Sequence, residues 1–221
     1  MSAPTRFLII VAAALVIGCP AGAAAPDATA DGTTLRFAAF RNGSEIGSHV
    51  VNFEREGGRL KATTSIDLRV SLLGFTLYRY VHRAEEVWTP EGLLSLVTTT
   101  DDNGSRHEVR AARVDGALQV WHANAGTSPI SLPATLVPTT HWNIRQVGQT
   151  ALLNSQLGTL ARVHVESLGE EAIPGPLGPI EATRYRYSGD IDKEQWFDRA
   201  GRWVRTRFVA SDGSVIEYRL R

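Results

Sequence analysis

The stretch LKATTSIDLRV, residues 60–70, alternates Leu60, Ala62, Thr64, Ile66, Leu68 and Val70 with Lys61, Thr63, Ser65, Asp67 and Arg69. A period of two puts successive side chains on opposite faces of an extended chain, so this segment is a strand with one dry and one wet face. A helix could not gather those residues on one side. Similar segments run over Thr34–Phe40, Glu45–Arg55, Phe75–Trp88, Leu93–Asp101, His107–Val114 and Ala117–His122. Between them stand Asn42-Gly43, Gly57-Gly58, Pro90-Glu91-Gly92, Asn103-Gly104 and Asp115-Gly116, residue types that accept the positive φ of tight turns. Consecutive hairpins make an antiparallel meander. About a dozen strands in one sheet twist strongly and curl, so the expected fold is all-β, an open barrel or half-barrel with a concave interior.

Two segments break the rhythm. Ala123–Asn154 holds Pro129, Pro133 and Pro138, which exclude central strands, and Thr140-His141-Trp142-Asn143-Ile144 reads as a short helical turn or ordered loop within an irregular insertion around 134–150. Ile173–Pro179, with its three prolines, is expected to be a rigid extended link or a hairpin tip.

In the C-terminal third, register follows from asking which turn length gathers the apolar residues. Three-residue loops at Arg199-Ala200-Gly201 and Ser211-Asp212-Gly213 set Asp198 opposite Arg202, Trp196 opposite Val204, Phe208 opposite Ile216 and Thr206 opposite Tyr218. One face then carries Trp196, Val204, Phe208, Ile216, Tyr218 and Leu220. The other carries the pair Phe197 and Trp203 in a row with Gln195, Arg205 and Arg207, an aromatic pair that a second layer or a ligand would cover.

The first residues carry an address. Arg6, the apolar run Phe7–Ile17 and the small residues up to Ala25 make a secretory signal peptide, too short for a membrane span of roughly 20 apolar residues. Cleavage near Ala24 gives a signal peptide over 1–24, a flexible spacer over 25–33 and a single β domain over 34–221. The alternative is lipidation, because Val16-Ile17-Gly18-Cys19 resembles the bacterial lipobox and would make Cys19 the anchored first residue. Cys19 is the only cysteine among 221 residues, so no disulfide forms within the chain. The expected compartment is the periplasm or the extracellular space, or a membrane surface through the lipid anchor.

The whole chain balances 23 bases with 23 acids, and loss of Arg6 with the leader leaves a mature net charge of about −1. With its arginines scattered, this composition argues against nucleic acid as a partner. No nucleophile elbow, phosphate loop or dinucleotide fingerprint occurs, and the six histidines stand singly, with no metal-ligand spacing and no cofactor motif. The candidate ligand-binding residues are therefore few. His141, Trp142 and Asn143 are an aromatic with two polar neighbours on an irregular segment, the kind of place where a rigid sheet displays a site; in the plainer reading, Trp142 plugs one end of the barrel and His141 or Asn143 caps loop backbone groups. Phe197 and Trp203 are either ligand contacts or core.

The motifs Tyr185-x-Tyr187-x-Gly189, Trp196-Phe197-Asp198-x-x-Gly201-x-Trp203-Val204 and Asp212-Gly213-Ser214-x-Ile216-Glu217-Tyr218 resemble an uncharacterised Gram-negative envelope family known only as a domain of unknown function. His141-Trp142-Asn143 and Leu153-Asn154-(x)3-Gly158 resemble it too. The resemblance implies a secreted, sheet-rich, periplasmic domain and brings no reaction with it. By looser analogy, the half-barrels that shuttle lipoproteins shelter acyl chains in a curved sheet. The expected role is a non-enzymatic envelope domain binding a lipid or other apolar or amphipathic small molecule. Alternatives are an envelope scaffold that recruits a protein to its sheet edge, and a hydrolase or isomerase using His141 with a distant carboxylate.

Overall fold

The computed structural model describes residues 31–122 and 128–221. The leader, its cleavage site and Cys19 lie outside them. Among the described residues, fourteen strands form one antiparallel sheet. The N-terminal run is β1 (Thr34–Arg41), β2 (Ser44–Glu56), β3 (Arg59–Leu72), β4 (Phe75–Thr89), β5 (Gly92–Asp102), β6 (Ser105–Val114), β7 (Ala117–His122) and β8 (Ile130–Pro133). After a 3₁₀ turn over Ile144–Gly148 come β9 (Ala151–Leu153), β10 (Leu160–Gly175), β11 (Gly178–Gly189), β12 (Lys193–Asp198), β13 (Trp203–Val209) and β14 (Val215–Leu220).

The spatial order is β8 back to β1, then β14 back to β9. First and last strands therefore lie side by side, Ala39 opposite Tyr218, and the sheet's two free edges are the strands that flank the irregular insertion. Along the β9 edge the insertion continues the pairing: the Thr139 N–H donates to Leu153 O at 2.9 Å and the Leu153 N–H to Val137 O at 3.0 Å. The sheet stays open between β8 and β9, and the segment from Ala134 to Gln149 occupies the opening and turns inward.

Alternation sets the inner face almost everywhere. In β4 the buried residues are His82, Ala84, Glu86 and Trp88; in β2 they are His49, Val51 and Phe53; in β3 they are Ala62, Thr64, Ile66 and Leu68. Residues 31–33, at the end of the expected spacer, are tied to β2, with Gly32 N–H donating to Phe53 O and Phe53 N–H to Thr33 O. The Pro-rich segment is a hairpin tip whose strands pair through Pro174 opposite Pro179 as far as Gly175 opposite Gly178.

The C-terminal hairpins depart from the expected register at one point. Phe208 does face Ile216, Thr206 faces Tyr218 and Phe197 faces Trp203, but Trp196 faces Arg205 and not Val204. A bulge inserts Val204, and its consequence is a change of face. Trp203 and Thr206, three apart, both point inward, and the Trp203 indole N–H donates to Thr206 Oγ1 at 2.8 Å. Trp196 and Val204 instead pack outside with Ile173 and Ala182, apart from the main core. The inner row is thus Gln195, Phe197, Trp203, Thr206, Phe208 and Tyr218.

Candidate functional site

Two consecutive residues of the insertion divide the barrel interior between them. Trp142 points to one end, where its ring meets Phe53 edge-on at 5.1 Å and Trp88 at 5.8 Å. Its indole N–H donates to Glu86 Oε1 at 2.9 Å, and that of Trp88 donates to Glu86 Oε2, also at 2.9 Å. Burial pushes the Glu86 carboxyl up to about 7, against the pull of these hydrogen bonds. Leu93, Leu96, Leu118, Val120, Leu152 and Leu153 are likewise shut off from water. This end is solid.

His141 belongs to the other end. Its ring stacks on Trp203 at 5.0 Å and meets Tyr218 and His49 edge-on at 5.4 Å and 5.5 Å. Gln195 holds it in place by donating from Nε2 to the His141 carbonyl. Beyond these rings opens a cavity of about 740 Å³, inside the range of roughly 300–1,000 Å³ typical of small-molecule sites. Its apolar wall is built from Ile46, Ile66, Leu68, Phe208 and Ile216, and its rim carries Val70, Leu77 and the Arg41–Asp212 ion pair at 2.7 Å.

The polar groups of this cavity are unusual in kind. His49, His82, His141 and Lys193 all line it. Burial lowers His49 to about 3 and His82 to about 4, with His82 adding to the effect on His49 and Arg83 to that on His82. Burial and the neighbouring Lys193 hold His141 well below the ordinary value. All three rings are neutral at pH 7. His82 Nδ1 lies 2.8 Å from Thr100 Oγ1, whereas neither ring nitrogen of His49 nor Nδ1 of His141 has a hydrogen-bond partner among the described residues.

Lys193 enters from β12, on the same face as Gln195 and Phe197. The side chain is buried, its Nζ donates to Gln146 Oε1 at 3.2 Å, and it sits 4.5 Å from the centre of the Tyr187 ring. No carboxylate forms an ion pair with it among the described residues. Without a counter-ion, burial brings its amine down to about 7. Of the cavity's carboxylates, Asp102 accepts from the Tyr78 hydroxyl at 2.7 Å, Asp212 is taken by Arg41, and Asp192 is exposed.

Of the residues singled out in the sequence, His141 lines the cavity. Trp142 fills the solid end. Asn143 caps the 3₁₀ turn, its Oδ1 accepting from Arg145 N–H at 3.0 Å. Phe197 and Trp203 are core residues outside the cavity lining, Trp203 stacked on Phe37 at 3.7 Å. Glu86, His49, His82 and Lys193 were missed, although a signal was there. Each occupies an inward slot of an alternating strand: Glu86 and His82 flank Ala84, His49 precedes Val51, and Lys193 precedes Gln195 and Phe197 by steps of two.

The model of a family described as a domain of unknown function, DUF6134, matches residues 37–221. The chain belongs to the DUF6134 family. No match was found among curated proteins. A solved structure similar to this DUF6134 chain is a β-barrel-like protein of the domain of unknown function DUF1849 from Brucella abortus. It shares 13% identity and a TM-score of 0.62, over 85% of this chain and 95% of the other. At that identity the likeness speaks for the β-barrel-like fold alone.

Proposed function

We propose that this DUF6134 chain is a non-enzymatic cell-envelope domain, periplasmic or secreted, that carries an amphipathic small molecule in the hollow end of its barrel. The observation that carries this reading is the 740 Å³ cavity with apolar walls and a buried, carboxylate-free lysine. An aliphatic portion fits against Ile66, Leu68 and Phe208. Lys193 supplies the counter-charge for an acidic head group, and a bound anion would raise the lysine's pKa by restoring a partner. Among the described residues no carboxylate bonds His141 Nδ1 to orient the ring as a general base, and for this reason we prefer carriage to hydrolysis or isomerisation.

The scaffold alternative rests on the free edge of β8, which spans only Ile130–Pro133 and ends in a residue without an N–H. The two readings separate in one preparation. Native mass spectrometry of protein taken from its own cell envelope is expected to find an added small-molecule mass that organic solvent extracts. Protein that arrives empty, and that fails to bind a fluorescent fatty acid at micromolar concentration, defeats the carrier; a co-purifying polypeptide in its place favours the scaffold.

A further inference from the structure

The β3–β4 hairpin ends in the sequence VSLLGFTLY, residues 70–78, which contains no charge. Leu72 is 60% exposed, Leu73 89%, Phe75 74% and Leu77 58%. The neighbouring hairpins of the same run turn instead on Asn42-Gly43, Gly57-Gly58, Asn103-Gly104 and Asp115-Gly116, and expose no comparable group. Four large apolar side chains at one tip form a patch that water disfavours, of the kind that marks an interaction surface.

Backbone geometry says that these residues are there for their side chains. Leu73 stands at φ 51°; the other non-glycine residues with positive φ among those described are Asn42, Asn103 and Asp115. Asn and Asp tolerate the left-handed region, and leucine rarely adopts it. A turn selected only for folding would carry Asn or Gly at this position, so the leucine has a use outside the fold. A bulge between Val70 and Ser71 leaves Leu77 without a cross-strand partner, so this side chain swings outward at the cavity rim.

Just below the apolar tip, Arg69 and Arg79 face each other across the ladder. Like charges directly opposite destabilise a hairpin, and the hairpin's nearest acid, Asp67, is taken by Arg83 at 2.9 Å. Arg79 reaches Asp101 of the next hairpin at 3.5 Å; Arg69 is exposed and has no partner among the described residues. An apolar tip with a cationic collar matches a bilayer surface, acyl region inward and anionic phosphates at the height of the guanidinium groups. Val70 and Leu77 belong both to the tip and to the cavity rim. We infer that the β3–β4 tip docks this protein on an anionic lipid bilayer, with the mouth of the cavity turned toward the membrane.

The inference goes beyond the carrier reading and is tested apart from it. Protein as its own cell processes it is floated with vesicles of phosphatidylethanolamine and phosphatidylglycerol, and with vesicles of phosphatidylcholine. Wild type should partition to the anionic vesicles. Leu73→Ser with Phe75→Ser should weaken partitioning at least about tenfold, and Arg69→Gln or Arg79→Gln should weaken it about fivefold, with the remaining binding less sensitive to salt. These positions are exposed, so the thermal midpoint should not fall. Leu73→Gly gives a signature that a purely structural role cannot: relief of the left-handed strain raises Tm while vesicle binding declines. Wild type that ignores anionic vesicles, or serine variants that bind as wild type does, overturn the inference. So does a wild-type dimer that the serine variants dissolve, because the patch would then belong to a second copy. Ligand carried by the variants is scored in parallel by native mass spectrometry. Loaded protein that does not float leaves the carrier standing and removes the docking.

Discussion

The two ends of the barrel interior are built by the same strands on the same alternation, yet one is filled and the other is hollow. Along β4 the inward residues run from Tyr80 and His82 to Glu86 and Trp88. The first two line the cavity and the last two are sealed against Trp142. What differs is the insertion, which sends one large aromatic toward Trp88 and a smaller ring toward Tyr218. The titratable groups sort in the same way, a protonatable carboxyl at the solid end and neutral histidines at the hollow end. A barrel of this size can thus be stabilised at one end and spend its other end on a ligand.

Truncating the two neighbours of the insertion should break the symmetry most visibly. Trp142→Ala removes a buried aromatic and strands the Glu86 carboxyl, and should lower stability by about 3–5 kcal/mol in urea unfolding. His141→Ala extends a space that already exists and should cost about 1 kcal/mol. Equal losses would mean that the hollow end is packed in solution.

Acid should act on the two ends with opposite sign. Glu86 is raised to about 7 from an unfolded value near 4.5, so its contribution is complete below the lower value and lost as pH rises through the upper one, a difference of about 3 kcal/mol. His49 and His82 are depressed, to about 3 and about 4, from about 6.5. Their contribution is present above the unfolded value and drains away as pH falls toward the folded ones. Hydrogen exchange followed from about pH 7 to about pH 5 should therefore show the hollow end loosening first. Glu86→Gln should lower stability at every pH, since an amide nitrogen meets an indole N–H, while removing the carboxyl's slope of about 1.4 kcal/mol per pH unit. His49→Phe should remove one proton's worth of slope in the other direction, read from urea midpoints across the same range.

A further effect belongs to the ligand. Lys193→Met should weaken binding of a long-chain fatty acid by about 10- to 100-fold and leave the corresponding alcohol unaffected, because only the acid needs the charge. If acid and alcohol weaken together, the lysine shapes the wall and anchors nothing.

Much of this was legible in the sequence. The alternation from Leu60 to Val70 and the turn pairs place β1 to β7 within a residue or two, since strands and turns are local chemistry. The pairings of Phe208 with Ile216 and Phe197 with Trp203 follow from loop length. The face of Trp196 and Val204 does not, because a bulge adds a residue without leaving a mark in composition. The site lay half hidden for another reason. Glu86 and Lys193 occupy inward slots by simple counting, but a charged side chain there reads as an exception to the pattern until tertiary partners, two indoles for the one and an amide with a tyrosine ring for the other, show what holds it. The void itself is a sum over many side-chain volumes and has no local signature.

The pairing of β1 with β14 has a consequence for how the molecule comes into being. β1 waits for β14, far along the chain, so a growing polypeptide presents the β1 flank, with Phe37 and Ala39, unzipped until β14 has been made. Such a flank is a template for stray ladders between molecules. Assembly should consequently be slow and should profit from an escort that masks β1 until β14 arrives.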